Sequence, residues 1–256
     1  MTEPAHSSSE KEMSFVEHLS ELRRALVFSV LGLLIGAGVG FWYHQPMLDL
    51  LMAKAGNVNF VIVSPAEGFI AVMRLSILLG LFLGVPVALR ELLWFVGPAL
   101  SRRQRWALVP MILISYALFI AGAALAYYVF LPIGIKFLVG FTPAGIQPML
   151  SIDRYIGFAS LMIFSTGLIF QVPVVMLLMA FVGILHSQPL RQQRRYVVII
   201  SFIIAAVLTP ADVMSQILLG TTLLILFEAG LALMWLVERL RPRPNYDITP
   251  VESEIE

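Results

Sequence analysis

Acidic and basic side chains stand close together in one segment near the start of the chain, residues 14–27. The apolar residues of this segment recur at the spacing of one helical face: Phe15, Leu19, Leu22 and Leu26. Glu17 and Glu21 are four residues apart, so a helix places them one turn apart on another face. A helix that lies at a membrane surface and is anchored there by Arg23 and Arg24 explains the apolar stripe. It does not explain why two carboxylates lie on the same basic surface as these arginines.

Signatures of enzymatic chemistry are missing from the sequence. It contains no G-x-S-x-G, H-E-x-x-H or P-loop motif. It has no cysteine, which excludes disulfides, thiolate metal sites, iron–sulfur clusters and cysteine nucleophiles. The four histidines, at positions 6, 18, 44 and 186, lie in the tail or near membrane edges. We therefore predict a protein that is not an enzyme and that uses no metal or cofactor.

The composition argues against a soluble protein. Of the 256 residues, 59% are hydrophobic and only 13% are charged, about half the roughly 25% of an ordinary soluble domain. The net charge of +1 indicates no polyanionic partner, so nucleic-acid binding is not expected. The first 20 residues are polar and acidic, unlike a cleavable signal peptide or a transit peptide.

Six apolar stretches could cross a membrane. They are Ala25–Trp42, Phe69–Phe95, Trp106–Phe130, Tyr155–Leu185 with a break at Pro173, Tyr196–Leu208 and Val213–Val237. A crossing helix needs about 20 residues, whereas the fifth stretch would form only about 20 Å of helix. It is either a tilted or buried helix with compensating neighbours, or a place where the bilayer is locally thinned.

The basic residues predict the orientation of these stretches. Thirteen Lys and Arg residues fall on one side, and the other side has four: Lys54, Arg74, Lys136 and Arg154. The positive-inside rule makes the richer side cytoplasmic, so both termini are predicted to be cytoplasmic. The longer loops, around 43–68 and 131–154, are then outside. We predict one six-helix transmembrane domain over residues 13–240, with disordered tails over 1–12 and 241–256.

Short motifs are spread along the chain in a fixed order. They are His18-Leu-Ser-Glu21-Leu-Arg23, Ser64-Pro65-Ala66-Glu67-Gly68-Phe69, Gly84-Val-Pro86-Val, Phe95-Val-Gly-Pro98-Ala-Leu100, Phe170-Gln-Val-Pro173, Leu208-Thr-Pro210-Ala-Asp212-Val-Met-Ser-Gln216 and Leu226-Phe-Glu228. The first two are similar to the H-L-x-E-L-R and S-P-x-E-x-F signatures of the TatC family, the core receptor of the twin-arginine protein translocase. The resemblance covers roughly residues 13 to 240, nearly the whole chain.

The resemblance implies both a fold and a function. The fold is an all-α integral membrane protein with six transmembrane helices, short fifth and sixth helices, and a concave, glove-like shape. The function is to bind twin-arginine signal peptides of folded proteins at the cytoplasmic face of the bacterial inner membrane. The receptor would then recruit TatA- and TatB-like single-span partners for export driven by the proton-motive force, within a larger self-associated complex.

The signal-peptide site that the resemblance implies lies on the cytoplasmic face. Its candidate residues are His18, Glu21, Arg23, Glu91, Phe95 and Gln104. A carboxylate matches a planar guanidinium with two parallel hydrogen bonds, a geometry that lysine cannot copy. Glu21 matches one of the family's recognition carboxylates, and Gln104 stands where the family usually has the other.

Gln104 carries no charge, and the neighbouring Arg102, Arg103 and Arg105 should repel an arginine pair. We favour recognition by Glu21 with help from Glu17 or Glu91. A divergent paralogue with altered specificity, an introduced change in the loop and an ordinary solvated residue at Gln104 are the alternatives.

Partner docking along helices five and six is implied for Gln171, Thr209, Asp212 and Gln216. Gln171 either meets partner helices or makes an internal polar contact near the break at Pro173. Asp212 is expected to cap helix six as well as to lie on the docking edge. Kinks and loop shape are assigned to Pro65, Glu67, Pro86, Pro98, Pro173 and Pro210.

A different function is also open on the sequence alone. Intramembrane polar residues are functional candidates by default. In an ion-coupled solute transporter, Arg74, Gln171 and Glu228 would line one polar path.

Overall fold

The computed structural model of the protein describes residues 15–56, 58–97, 105–106, 108–143, 145–209 and 212–240. The helices in these ranges are α1 (Phe15–Trp42), α2 (His44–Met52), α3 (Pro65–Val96), α4 (Leu108–Leu125), α5 (Leu131–Gly140), α6 (Ile152–Ile169), α7 (Val172–Val182), α8 (Ser187–Gln192), α9 (Arg194–Leu208) and α10 (Val213–Leu240). A π-helical turn, Ala126–Phe130, joins α4 to α5. The predicted tails, together with Pro98, Gln104 and Pro210, lie outside the described residues.

Within the described residues, five helical stretches are long and apolar enough to cross a membrane: Leu19–Trp42, Pro65–Val96, Leu108–Gly140, Ile152–Val182 and Val213–Arg239. α9 is helical but has only 15 residues, about 22 Å of helix against a hydrocarbon layer of about 30 Å. The short fifth helix is therefore confirmed, and a sixth crossing stays a prediction. The expectation of a short sixth helix is wrong, because α10 continues for 28 residues, beyond the apolar stretch.

The far end of α10 is held by its own chain. Glu238 accepts hydrogen bonds from the backbone N–H of Ser187, at 2.8 Å, and from the Ser187 hydroxyl. This anchoring explains why the helix extends past its apolar part.

α1 and α3 touch each other along small residues. Gly36 and Gly40 of α1 face the backbone of Gly80 and Ser76 of α3. A Cβ added at Gly80 would lie 2.7 Å from backbone atoms of α1, which is closer than real Cβ atoms come. Small residues let membrane helices approach until their backbones pack directly. This contact sets how the ends of the two helices face each other.

A short parallel ladder joins two segments that the sequence assigned to outer loops. β1 (Asn59–Val61) pairs with β2 (Met149–Ser151), with Phe60 opposite Leu150. The ladder corrects the all-α expectation, and the other regular elements in the described part of the chain are helices. Strands of three residues separated by almost 90 positions carry no periodic signal in the sequence. We call this end of the bundle the ladder end.

Glu67 ties the start of α3 to the ladder. Its carboxylate accepts hydrogen bonds from Val63 N at 2.5 Å, Ser64 N at 3.3 Å, Asp153 N at 3.3 Å and the Ser151 hydroxyl. With Ser64 it forms a capping box, and Pro65 occupies the first turn, where its missing N–H costs nothing. The S-P-x-E-x-F motif therefore forms the start of α3, and hydrogen bonds to Glu67 join it to the start of α6.

Proline coincides with a break in the fourth span, whereas the second and third spans stay helical past their prolines. Helical structure continues from Leu108 to Gly140, so the loop predicted to begin at 131 starts ten residues later. Pro132 lies in the first turn of α5, directly after the π-helical turn, where a missing N–H is tolerated. The fourth span breaks at residues 170–171, before Pro173, as the sequence predicted. α3 continues through Pro86.

The largest apolar core lies towards the ladder end, between α3, α6 and the π-helical turn. Leu75, Ala126, Leu131 and Ile156 are completely buried within it. Tyr155 joins α2 to this core through a hydrogen bond from its hydroxyl to the carbonyl of Leu51. The largest core therefore supports the ladder end of the bundle.

Candidate functional site

A cavity of about 300 Å³ lies between the start of α1 and the end of α3, opposite the ladder end. Two carboxylates line it, Glu21 from α1 and Glu91 from α3. The close packing of α1 on α3 carries both residues to the same end of the helix pair. We call it the Glu21–Glu91 cavity. Its volume is at the small end of ligand pockets, so it can accept side chains rather than a folded domain.

Two arginines share the lining with the carboxylates. Arg90 Nη1 lies 3.3 Å from Glu91 Oε1, and the Arg90 side chain is 62% exposed. The guanidinium of Arg24 lies over the ring of Phe28, 5.5 Å from its centroid, in a cation–π arrangement. An ion pair this exposed contributes little stability. Glu91 can therefore exchange Arg90 for another cation at small cost.

Aromatic side chains form the apolar part of the wall. Phe28 comes from α1, and Trp94 and Phe95 come from α3. Both Phe28 and Trp94 are themselves about half exposed. A cavity that combines carboxylates with aromatic walls suits a guanidinium on a partly apolar segment, because the charge meets the carboxylates and the neighbouring side chains meet the rings.

The structure brings some of the predicted binding residues together and leaves others apart. Glu21, Glu91 and Phe95 line the same cavity, although the sequence could not show which way Glu91 faces. Arg23 is exposed on α1 and is not part of the cavity lining described above. The side chain of His18, like that of Glu17 and the whole of Gln104, lies outside what the structure describes.

Sequence reasoning missed five of the lining residues: Arg24, Ala25, Phe28, Arg90 and Trp94. A signal for four of them was present. Arg24, Ala25 and Phe28 follow Glu21 at spacings of three, four and seven, and Trp94 follows Glu91 at a spacing of three, which is one helical face in each case. Projecting each helix from its carboxylate would have identified these four, but not Arg90, which directly precedes Glu91.

Gln171 makes an internal polar contact. Its Nε2 donates to the backbone carbonyl of Ser115 at 3.0 Å, and the Ser115 hydroxyl donates to its Oε1. Both side chains are buried. This pair links α4 to the break between α6 and α7. The geometry supports the internal-contact interpretation of Gln171, and its docking role stays a prediction.

The predicted docking residues near the α9–α10 turn form hydrogen bonds within the chain. Asp212 Oδ1 accepts from Ser215 N at 2.7 Å, which caps α10 as the sequence predicted. Thr209 Oγ1 donates to the Ala205 carbonyl at 2.8 Å. Gln216 Nε2 reaches the carbonyl of Phe202, in α9, at 3.3 Å. These contacts fix the hairpin, and whether its edge also binds partners is not tested by them.

The polar path of a solute transporter is not assembled. Arg74 pairs with Asp153 at 3.2 Å, near the start of α6. Gln171 contacts Ser115, and Glu228 pairs with Arg194 at 2.6 Å, at the start of α9. Each of the three proposed residues therefore has its own partner in a different part of the fold.

Comparison with known proteins identifies one family. The sequence model described as "Sec-independent protein translocase protein (TatC)" matches residues 17–221. TatC of Aquifex aeolicus is 33% identical, with 89% of this chain and 97% of that protein aligned. TatC of a Synechocystis species is 35% identical, with 86% and 87% aligned.

Solved structures agree with the sequence comparisons. A crystal structure of the twin-arginine translocase receptor TatC superimposes with a TM-score of 0.79 at 34% identity. The alignment covers 87% of this chain and all of that one. The family's role is protein transport rather than catalysis. The chain therefore belongs to the TatC family, the membrane-embedded components of the Sec-independent protein translocase.

Proposed function

We propose that this protein is the translocase subunit that binds twin-arginine signal peptides of folded proteins. The single observation that supports this best is the Glu21–Glu91 cavity, where two carboxylates from different helices line one small space with aromatic walls. One carboxylate can accept two parallel hydrogen bonds from a guanidinium. Two carboxylates in one cavity therefore fit two consecutive arginines.

Glu91 takes the place of the loop carboxylate that this chain lacks at Gln104. Its side chain is only 18% exposed, so its charge is less screened by water than that of a loop residue. Binding begins when an arginine of the peptide displaces Arg90 from Glu91, which costs about 0 to 1 kcal/mol for an exposed pair. Arg24 and Arg90 keep the empty cavity close to neutral.

We place the cavity at the cytoplasmic face of the bacterial inner membrane. The proposed topology has six crossings, including α9, with both termini inside and a concave, glove-like bundle. The sequence pattern, which assigns 13 of the 17 basic residues to one side of the membrane, supports this orientation. Among the described residues, Arg24 and Arg90 of that set line the cavity. The ladder end then faces outward, where its capping box and strands close the longer loops.

TatA- and TatB-like single-span partners dock along α9 and α10 in this proposal. α9 exposes a row of large apolar residues to the membrane: Ile199, Ile203 and Val207. The hairpin held by Thr209, Asp212 and Gln216 forms the end of that surface, and Gln171 supports it from inside. The subunit self-associates in a larger complex, and the proton-motive force drives export.

The decisive test of receptor function is peptide binding by the detergent-solubilised full chain. A fluorescent signal peptide with an arginine pair is compared with the same peptide carrying two lysines. We expect at least tenfold tighter binding of the arginine peptide, because only guanidinium forms the bidentate contact. Equal affinity for both peptides would exclude the proposed recognition.

The Gln104→Glu variant tests whether Glu91 takes the place of the missing loop carboxylate. It restores the family's loop charge, so binding of the arginine peptide should be preserved or strengthened. Gln104→Asn is the matched control that keeps an amide at this position. A loss of affinity in Gln104→Glu alone would mean that the basic loop has another role.

A further inference from the structure

A second cavity, of about 380 Å³, forms a groove between α3 and α6 on the side of the bundle. Its walls are mainly apolar and include Ile77, Leu81, Leu161 and Phe164. Ile77 and Leu161 are each about half exposed. We call it the α3–α6 groove. None of its lining residues belongs to the Glu21–Glu91 cavity.

Polar groups lie only towards the ladder end of this groove. α3 and α6 both start at the ladder end and run in the same direction. The guanidinium of Arg74 crosses over Gly157, where an added Cβ would lie 2.4 Å from Arg74 Nη1 unless the guanidinium moved. Ser160 lies one turn further along α6, about 4.5 Å deeper, and Phe164 lies about 10 Å deeper. The groove therefore changes from charged to polar to apolar along its length.

Arg74 keeps hydrogen-bonding capacity for a ligand. Its Nη1 contacts Asp153, at 3.2 Å from the carboxylate and 3.4 Å from the carbonyl oxygen. A guanidinium has five N–H donors, and this side chain is 46% exposed. Ser160 adds a second group, because its buried hydroxyl has no hydrogen-bond partner among the described residues.

We propose that the α3–α6 groove holds a membrane phospholipid, with its phosphate on Arg74 and one acyl chain along the apolar wall. A phosphate and a guanidinium form charge-assisted, bidentate hydrogen bonds. The glycerol ester of the lipid lies just below the phosphate, at the depth of Ser160. With the phospholipid bound in this way, its headgroup lies at the membrane surface on the ladder-end side.

The size of the groove decides between a lipid and a partner helix. A helix with its side chains is about 10–12 Å across and rises about 5.4 Å per turn, so a single turn occupies roughly 400–600 Å³. That is more than the whole groove of about 380 Å³ can hold. An acyl chain is a narrow, flexible rod that fits such a space. The charge pattern agrees, because an anionic head and an apolar tail match the two ends of the groove.

Native mass spectrometry of the detergent-solubilised full chain tests the proposal. The probe is palmitoyl-oleoyl-phosphatidylglycerol, and the comparison lipid is the diacylglycerol with the same chains but no phosphate. We expect Arg74→Gln to reduce the phosphatidylglycerol adduct at least fivefold. Arg154→Gln, an exposed arginine at the same end that does not line the groove, should keep the adduct.

Leu161→Trp tests the groove without changing any charge. It should fill the apolar wall and reduce the adduct at least threefold, whereas Leu113→Trp, at an exposed position of α4 that does not line the groove, should not. An adduct retained in both Arg74→Gln and Leu161→Trp would overturn the proposal, as would equal binding of diacylglycerol. Binding of the arginine peptide is measured in parallel and is expected to be unchanged in both variants.

Discussion

The two ends of the α1–α3 helix pair use glutamate in opposite ways. At the ladder end, Glu67 is buried and receives four donors from its own chain: Val63 N, Ser64 N, Ser151 Oγ and Asp153 N. At the other end, Glu21 and Glu91 line a cavity, and the contact of Glu91 is with a mostly exposed arginine, Arg90.

This difference separates a carboxylate that holds the fold from carboxylates that can change partner. Donors fixed by the backbone cannot be exchanged without unfolding the start of a helix. A guanidinium on a flexible, solvated side chain can be replaced by another one. The comparison predicts that variants at Glu67 lower stability, whereas variants at Glu21 and Glu91 lower binding.

The largest effect on stability is expected for Glu67→Gln. The amide loses the charge and turns an N–H₂ group towards N–H donors, which leaves buried donors unpaired. We expect Tm in detergent to fall by about 10 °C, with unchanged peptide affinity of the folded fraction. Asp49→Asn, an exposed carboxylate in α2, is the control. If Glu67→Gln kept normal stability but lost peptide binding, the proposed difference between the two ends would be wrong.

Gly80→Ala tests whether the α1–α3 contact positions the cavity. The added Cβ would meet the backbone of Leu33 and Ala37 at 2.7 Å, so the helices must separate, at a cost of about 2 kcal/mol. Thermal unfolding should show the loss, and peptide affinity should fall because Glu21 moves relative to Glu91. Gly38→Ala is the matched control, since nothing lies within 4 Å of its Cβ position. If the two variants behave alike, the contact does not position the cavity.

A double-mutant cycle between Ser115 and Gln171 measures the internal contact. Ser115→Ala removes the hydrogen bond from the serine hydroxyl, and Gln171→Met removes that bond together with the one to the Ser115 carbonyl. Because the hydroxyl bond is lost in both, the double variant should cost less than the sum of the single ones. We expect a coupling free energy of about 1 kcal/mol from thermal unfolding. Additive losses, with weaker partner association in Gln171→Met alone, would instead favour an outward, docking role for this amide.

The smallest effect is expected for Arg90→Gln. Removing the competing guanidinium should strengthen binding of the arginine peptide by up to about fivefold, because an exposed ion pair is worth about 0 to 1 kcal/mol. The gain should shrink at high salt. Arg191→Gln, an exposed arginine of α8, serves as the control. Weaker binding in Arg90→Gln would mean that Arg90 orients Glu91 rather than competing for it.

Much of the helical framework could be predicted from the sequence, because apolar stretches of about 20 residues carry a strong signal. Two features could not be predicted from periodicity: the β1–β2 ladder and the continuation of the third span beyond Phe130. The close α1–α3 contact did have a signal. Gly32, Gly36 and Gly40 in α1, and Gly80 and Gly84 in α3, repeat every fourth residue, a pattern typical of tightly packed membrane helices.

The candidate site was predicted only in part for a physical reason. A motif identifies Glu21, but the direction in which Glu91 faces depends on how α3 packs against α1. The contact between Gln171 and Ser115 likewise joins residues 56 positions apart. Tertiary packing decides both, and a single sequence contains no pairing information for them.

The affinity of the arginine peptide for Glu21→Gln and Glu91→Gln tests the central claim most directly. Each variant keeps the side chain's shape and removes one charge, so both should bind more weakly while Asp49→Asn binds normally. We predict a loss of about tenfold for Glu21→Gln, which corresponds to about 1.4 kcal/mol, and a smaller loss of about threefold for Glu91→Gln. Unchanged affinity in both variants, or a larger loss in Glu91→Gln than in Glu21→Gln, would contradict the account.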